Sequence, residues 1–156
     1  MKTMHGGATK RTFGVCMLLA TLLFGPAVAK ADAVLDWNLI AVNTSIANGQ
    51  NPFAQARNAA IVQLAVFEAV NAITRDYQPY LGSIVAPHGA SADAAAIEAA
   101  YRVLSTYFPA SASTLLTARA NSLALIPDGQ AKSDGIATGD AAALAMIALQ
   151  IGRAHV

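Results

Sequence analysis

The stretch over residues 53–73 constrains the fold more than any other part of the chain. It reads FAQARNAAIVQLAVFEAVNAI and contains no glycine or proline, so it predicts a helix of about six turns. Its apolar side chains point in almost every direction around that helix, which is typical of a helix packed among others. We therefore expect a central, buried helix with Leu64, Phe67 and Val70 in its core.

The longer polar side chains of this helix share one face. At about 100° per residue, a sector of about 60° contains Arg57, Glu68, Asn71 and Arg75. The last three are spaced to form a hydrogen-bonded row, whereas Arg57 lies about 16 Å from Glu68 along the axis. Such a row can line a pocket, or it can satisfy itself and the backbone of the following loop. We favour the structural role, because buried charges need partners whatever their purpose.

Four further segments show helical periodicity, and no segment shows the alternation of a strand. They begin near residues 32, 91, 111 and 131, and each of the first three ends at a glycine or proline. In the last segment, Gly135 and Gly139 are four residues apart, which indicates a close approach between two helices. The loop with Tyr77 and Tyr80 is expected to be pinned to the helices by its aromatic rings. The sequence therefore predicts an all-α helical bundle.

Residues 1–31 have the features of an export signal. Three basic residues precede a short apolar run over 13–24, and small residues suited to signal cleavage follow at 27–31. About 12 apolar residues are too few for the roughly 20 that span a bilayer, so we expect no stable membrane anchor after cleavage. The mature chain is expected to be periplasmic or secreted. It would contain no cysteine, since Cys16 leaves with the signal.

The charges and titratable groups of residues 32–150 exclude several functions. Five basic and nine acidic side chains leave four net negative charges, which argues against nucleic-acid binding. His88 is the one histidine in this range, so a Ser–His–Asp triad or a multi-histidine metal site lacks parts. We expect His88 to be a solvated loop residue. Asp134 and Asp140 are too far apart on a helix to share a site, and both are expected to face solvent.

The hexapeptide at 151–156, IGRAHV, reads as foreign to the protein. One reading frame of a common sequencing-adapter DNA encodes these six residues, and the adapter bases before it would complete a codon for Gln150. The alternative is a genuine C-terminus, with Gly152 as a helix stop. We favour an adapter-derived artefact and expect the natural protein to continue beyond Leu149. The chain would then be an N-terminal fragment, and its outer apolar faces would be exposed.

A series of short motifs resembles the N-terminal part of one bacterial family. In order, they are VLDWN at 34–38, AR at 56–57, FEAVNAI at 67–73, YQPY at 77–80, AAYRVL at 99–104 before FP at 108–109, and IPDG at 126–129 before Gly135 and Gly139. On these motifs, residues 32–150 resemble the N-terminal helical region of vanadium-dependent haloperoxidase-like proteins. Those proteins belong to the type 2 phosphatidic acid phosphatase superfamily.

The resemblance implies a helical bundle and, in the parent protein, a site for vanadate, with hydrogen peroxide and halide as reactants. The family's ligands come from a Lys followed by Arg-Pro, a Ser-Gly-His, and a Ser-Arg with a later His. None of these motifs occurs in this sequence. No catalytic, cofactor-binding or metal residue is therefore assigned here, and this fragment is expected to be inactive.

Two alternatives stay open. The first is an acid phosphatase of the same superfamily, which would hydrolyse phosphomonoesters through a phosphohistidine. The second is a non-catalytic periplasmic helical module that only binds a partner. The full reading frame and assays with and without vanadate would separate these possibilities.

Overall fold

The computed structural model describes residues 32–153, with side chains described for residues 32–150. Within that range the chain forms five α-helices, one short 3-10 helix and no strand, which confirms the all-α prediction. The elements are α1 (Ala33–Ala47), α2 (Pro52–Thr74), α3 (Ala92–Tyr107), a 3-10 helix (Pro109–Ser111), α4 (Ala112–Ala124) and α5 (Gln130–Arg153). The predicted export signal and residues 154–156 lie outside the described residues, so those two interpretations stay predictions.

Polar side chains define where three of the helices begin. The side chains of Asp32, Asn51 and Ser91 accept hydrogen bonds from backbone N–H groups two or three residues later, at 2.9, 3.0 and 3.2 Å respectively. Each bond satisfies a donor that the first turn of a helix otherwise leaves free. Ser111 precedes α4 without such a bond: its backbone belongs to the 3-10 helix and is not extended as at the other three caps, and its hydroxyl accepts from the side-chain amide of Asn48 at 2.8 Å.

The most buried helix is α3, so the prediction of α2 as the central helix is wrong. α3 packs against α1, α2, α4 and α5, and its residues 94–100 are all buried. Five of those seven residues are alanines, whose small side chains let neighbouring helices approach from several sides. In α2, by contrast, Leu64, Phe67 and Val70 are only partly buried, because the other helices cover one side of it.

Two glycines bring α5 against the backbone of α3, as their spacing predicts. A Cβ atom at Gly135 would lie 2.3 Å from the carbonyl oxygen of Ser91, and one at Gly139 would lie 2.3 Å from that of Ala95. No side chain fits within such distances. The missing methyl groups therefore set the close packing of these two helices.

The outer helices α1 and α4 each cover one side of the core. Trp37 of α1 is 1% exposed, and its indole N–H donates to the hydroxyl of Ser122 in α4 at 3.2 Å. In α4, Leu115 and Leu123 are buried, whereas Leu116 is half exposed. The sequence pattern alone predicts an apolar face with Leu116 and Leu123, whereas the helix buries Leu115 in place of Leu116 and keeps Leu123 inside.

Candidate functional site

Asn71 holds both the end of α2 and the start of the loop that follows. Its side-chain amide donates to the carbonyl of Tyr77 at 2.8 Å, and its side-chain oxygen accepts from the N–H of Tyr77 at 2.9 Å. Its own carbonyl accepts from the N–H of Arg75 at 2.8 Å. Arg75 has a left-handed backbone with φ of 60°, which ends the helix and turns the chain towards these bonds.

Glu68 holds the same loop three residues further on. Its carboxylate is 2% exposed and accepts from the N–H of Tyr80 at 2.5 Å. A hydrogen bond to a carboxylate is stronger than one between neutral groups, so this contact compensates part of the cost of burial. Among the described residues, no buried polar side-chain atom is left without a hydrogen-bond partner.

These contacts agree with the structural role that we favoured for the polar face of α2, but the arrangement differs from the predicted row. Glu68 and Asn71 bond to the loop backbone, not to each other. The side chain of Arg75 is exposed, and Arg57 lies exposed near the other end of the helix. The loop's backbone is therefore what satisfies the buried polar groups.

The prediction that aromatic rings pin this loop to the helices is confirmed only in part, because one ring contact is present and both tyrosine side chains are largely exposed. Tyr77 is 71% exposed and Tyr80 is 47% exposed. Tyr77 makes one ring contact, with Phe67 at a centroid distance of 6.3 Å. The loop's apolar anchors are instead Leu81 and Ile84, which are partly buried against the core. The backbone bonds to α2 leave the tyrosine side chains at the surface.

A cavity of about 290 Å³ lies between the end of α2 and this loop. Glu68, Asn71 and Arg75 line it from the helix, and Pro79 and Ile84 line it from the loop. Within the described lining, Arg75 is the one cationic side chain, and Glu68 is a carboxylate of which one oxygen already accepts from the loop backbone. The described lining of the cavity contains no nucleophile paired with a base.

A buried ion pair between α3 and α4 was not anticipated from the sequence. The Nε atom of Arg119 lies 2.5 Å from the carboxylate of Glu98, whose side chain is 6% exposed. The guanidinium also lies 5.2 Å from the ring centre of Tyr101, as a cation–π contact. Burial raises the pKa of Glu98, although the hydrogen bond from Arg119 acts in the opposite direction.

A second ion pair connects α3 to α5. Arg102 donates a hydrogen bond to the carboxylate of Asp140, and this bond raises the pKa of Arg102. The expectation that Asp140 simply faces solvent is therefore wrong, because α3 provides a partner across the helix interface. Asp134 makes a local contact instead, accepting from the side chain of Gln130 at 2.8 Å.

The spacing of Glu98 and Arg102, four residues apart, indicates that both lie on one side of α3. This spacing does not indicate that Arg119 of α4 and Asp140 of α5 are their partners. Within each pair the acid and the base neutralise each other, and together the two pairs connect α3 to α4 and to α5. We interpret them as structural, since each acid has a base within hydrogen-bonding distance.

The described residues do not fit a vanadate site. An oxyanion with spread negative charge needs several cationic and N–H donors, and vanadate in the haloperoxidases that the motifs resemble also needs a histidine ligand. Arg102, Arg119 and Lys132 are committed to ion pairs with acidic residues. Within residues 32–150, no group of three or more His, Cys, Asp or Glu side chains is placed to hold a metal ion.

The remaining cationic groups do not converge either. Arg57 and Arg75 are exposed at opposite ends of α2, and His88 is exposed in the loop before α3, as expected. No step of vanadate chemistry can therefore be assigned to these residues.

Among the helices of the described range, none combines the length and apolar character needed to cross a lipid bilayer. No protein-family model, curated protein or solved structure matches the chain. A functional proposal therefore depends on the sequence motifs and on what their residues do in the fold.

Proposed function

We propose that this chain is the N-terminal helical region of an exported protein related to the vanadium-dependent haloperoxidases. In this proposal its helices form a scaffold for a catalytic centre that other residues supply. The observation that supports it most is the contact between two of the motifs that carry the resemblance. Glu68 and Asn71, in the motif at 67–73, bond to the backbone of Tyr80 and Tyr77, the two ends of the motif at 77–80.

Residues of the other motifs also have structural roles. Trp37, in the motif at 34–38, is buried and hydrogen-bonds to α4. Arg102, in the motif at 99–104, pairs with Asp140 of α5. Gly135 and Gly139 permit the close contact between α5 and α3. The motifs thus hold neighbouring helices and the long loop together, as a scaffold requires.

The proposed chemistry needs groups that this sequence lacks. In the parent protein, vanadate would activate hydrogen peroxide for the oxidation of halide to a hypohalous species. Its ligands in the family come from Arg-Pro, Ser-Gly-His and Ser-Arg motifs, none of which occurs in the 156 residues. We therefore assign this chain no catalytic step and expect no turnover from it alone.

The complete reading frame at the source locus tests this proposal. We expect it to encode, downstream of residue 149, a Lys before Arg-Pro, a Ser-Gly-His and an Arg with a later His. A longer frame without these motifs would contradict the enzyme proposal and favour the binding module. If the motifs are present, phosphomonoester hydrolysis without any vanadate-dependent halide oxidation would instead identify an acid phosphatase.

A further inference from the structure

The loop after α2 uses only one of the two carboxylate oxygens of Glu68. That oxygen accepts from the N–H of Tyr80, and Glu68 as a whole is 2% exposed. The second oxygen has no hydrogen bond or ion pair with any residue of the described range. Since no fully buried polar side-chain atom in that range lacks a partner, the second oxygen must be open to the space beside it. That space is the cavity of about 290 Å³ between α2 and the loop.

The wall of this cavity carries two opposite charges. Glu68 and Arg75 both line it from α2, seven residues and about 10 Å apart along the helix axis. Arg75 forms no ion pair with any acid that the structure describes, so the two charges do not neutralise each other directly. Ala72 lies between them on the same face of the helix, and Pro79 and Ile84 line the cavity from the loop. The surface between the charges is therefore apolar.

We propose that this cavity binds a small ω-amino acid, a zwitterion whose ammonium and carboxylate groups are separated by a short hydrocarbon chain. The ammonium group donates to the second oxygen of Glu68, and the carboxylate accepts from the guanidinium of Arg75. The hydrocarbon chain lies against the apolar wall. The inference does not depend on the proposed enzymatic function.

The separation of the two charges selects the length of the ligand. Side chains on one helix face project in parallel, so the spacing of about 10 Å along the axis approximates that of the charged groups. Two hydrogen bonds of about 2.9 Å each leave about 4 Å between the charged groups of the ligand. In an α-amino acid both groups are attached to one carbon, which is a shorter separation. A cavity of about 290 Å³ lies at the small end of ligand pockets, which also favours a short chain.

The two charges contribute unequally to binding. Glu68 is nearly fully buried, where an unpaired carboxylate is costly and a cationic partner offsets that cost. Arg75 is exposed, and an ion pair at the surface contributes little. The ammonium group should therefore determine most of the affinity, while the carboxylate mainly orients the ligand.

NMR titration of the isotope-labelled full chain with γ-aminobutyrate tests the site. Butylamine lacks the carboxylate, butyrate lacks the ammonium group, and α-aminobutyrate is an isomer with both charges on one carbon. We expect γ-aminobutyrate to bind with the lowest Kd and to shift the backbone amides of residues 68–85. The Kd of butylamine should be up to about fivefold higher. The Kd values of butyrate and of α-aminobutyrate should be higher by about tenfold or more.

Glu68→Gln provides a second, independent test. The glutamine keeps an oxygen that can accept from the N–H of Tyr80, but it replaces the second oxygen by an uncharged amide group. Its Kd for γ-aminobutyrate should rise by about tenfold or more. Asp76→Asn is the matched control, because Asp76 is exposed in the same loop and does not line the cavity, so its Kd should stay unchanged. The amide spectra establish that both variants are folded, and the ligand comparison requires no substitution.

Several results would overturn the proposal. One is the absence of a saturable shift at the amides of residues 68–85, which would leave water as the partner of the second oxygen. Another is a Kd for butyrate or α-aminobutyrate as low as that for γ-aminobutyrate. A third is an equal loss of affinity in Glu68→Gln and Asp76→Asn, since the effect would then come from net charge alone.

Discussion

The buried carboxylate of Glu68 accepts a hydrogen bond from the backbone N–H of Tyr80, with the two atoms 2.5 Å apart. Together with the two bonds between Asn71 and Tyr77, this contact fixes the loop that leaves α2. The polar face of the helix therefore acts on the backbone of the following loop. This relationship explains why an acid and an amide occupy a helix that is otherwise largely apolar.

Removing the Glu68 carboxylate should destabilise the protein and release the loop. In Glu68→Ala the N–H of Tyr80 loses its acceptor, which costs about 1–3 kcal/mol for a group that stays buried. Urea unfolding measures this loss, and hydrogen exchange at the amide of residue 80 should accelerate. Asp76→Asn is the control, because Asp76 is exposed in the same loop. Equal effects of the two substitutions would contradict the assigned role of Glu68.

Replacing the glycines of α5 by alanine should lower the stability of the protein, the opposite of the usual effect in an exposed helix. In an open helix, replacing glycine by alanine stabilises the protein by up to about 1 kcal/mol. At Gly135 and Gly139 the added methyl group would lie 2.3 Å from a carbonyl oxygen of α3, so each substitution should destabilise by about 1–3 kcal/mol.

Chemical denaturation of Gly135→Ala and Gly139→Ala measures these effects. Ala137→Gly serves as the control, because Ala137 is exposed between the two glycines and reports helix propensity alone. If both glycine variants were more stable than the unchanged protein, the proposed close contact between α5 and α3 would not exist.

Trp37 and Phe67 distinguish the observed core from the one expected from the sequence. Trp37 is 1% exposed, so Trp37→Ala should cost about 3–5 kcal/mol. Phe67 is only partly buried, so Phe67→Ala should cost clearly less. Thermal or urea unfolding of the two variants makes the comparison. A larger loss at Phe67 would restore α2 as the centre of the core.

The boundaries of the helices could be predicted because local chemistry sets them. The predicted helix starts near residues 32, 53 and 91 lie close to the observed ones, where Asp32, Asn51 and Ser91 accept hydrogen bonds from the first turns. The close approach expected from the spacing of Gly135 and Gly139 is also observed. The central position of α3 was harder to predict, because its alanines contribute little hydrophobicity to a sequence pattern. Their value lies in the close approach that they permit, which depends on the other helices.

The polar contacts could be predicted only in part, for a related reason. The shared face of Glu68 and Asn71 follows from helical geometry, but their loop partners depend on the path of the chain after residue 75. The pairing of Glu98 with Arg119 depends on how α4 lies against α3. A single sequence does not show how two helices are placed against each other, so this ion pair could be identified only from the folded structure.

The burial of Glu98 should make the stability of the folded protein depend on pH. Its pKa is raised in the fold, chiefly by burial, so the folded state favours the protonated acid relative to the unfolded chain. Its favourable contribution is complete below about pH 4.3, the ordinary value of a glutamate, and is lost as pH rises through the raised pKa. The stability of the unchanged protein relative to Glu98→Gln should therefore decline as pH rises across that window.

Asp128 provides a control of opposite sign. The hydrogen bond from Lys132 lowers the pKa of Asp128, so its contribution is present above the ordinary aspartate pKa and is lost on acidification. Urea unfolding across a pH series, with Glu98→Gln and Asp128→Asn, compares the two slopes. The same slope for both variants would contradict the effect of burial on Glu98.

The central proposal is that these helices form a scaffold for a haloperoxidase-like centre that other residues supply. The most direct measurement compares halide oxidation by this chain and by any longer protein that its source reading frame encodes, each with hydrogen peroxide and with or without vanadate. The account predicts that the chain alone stays at the buffer blank, while the longer protein oxidises halide only when vanadate is present. Turnover by the chain alone, or no vanadate-dependent oxidation by the longer protein, would contradict it.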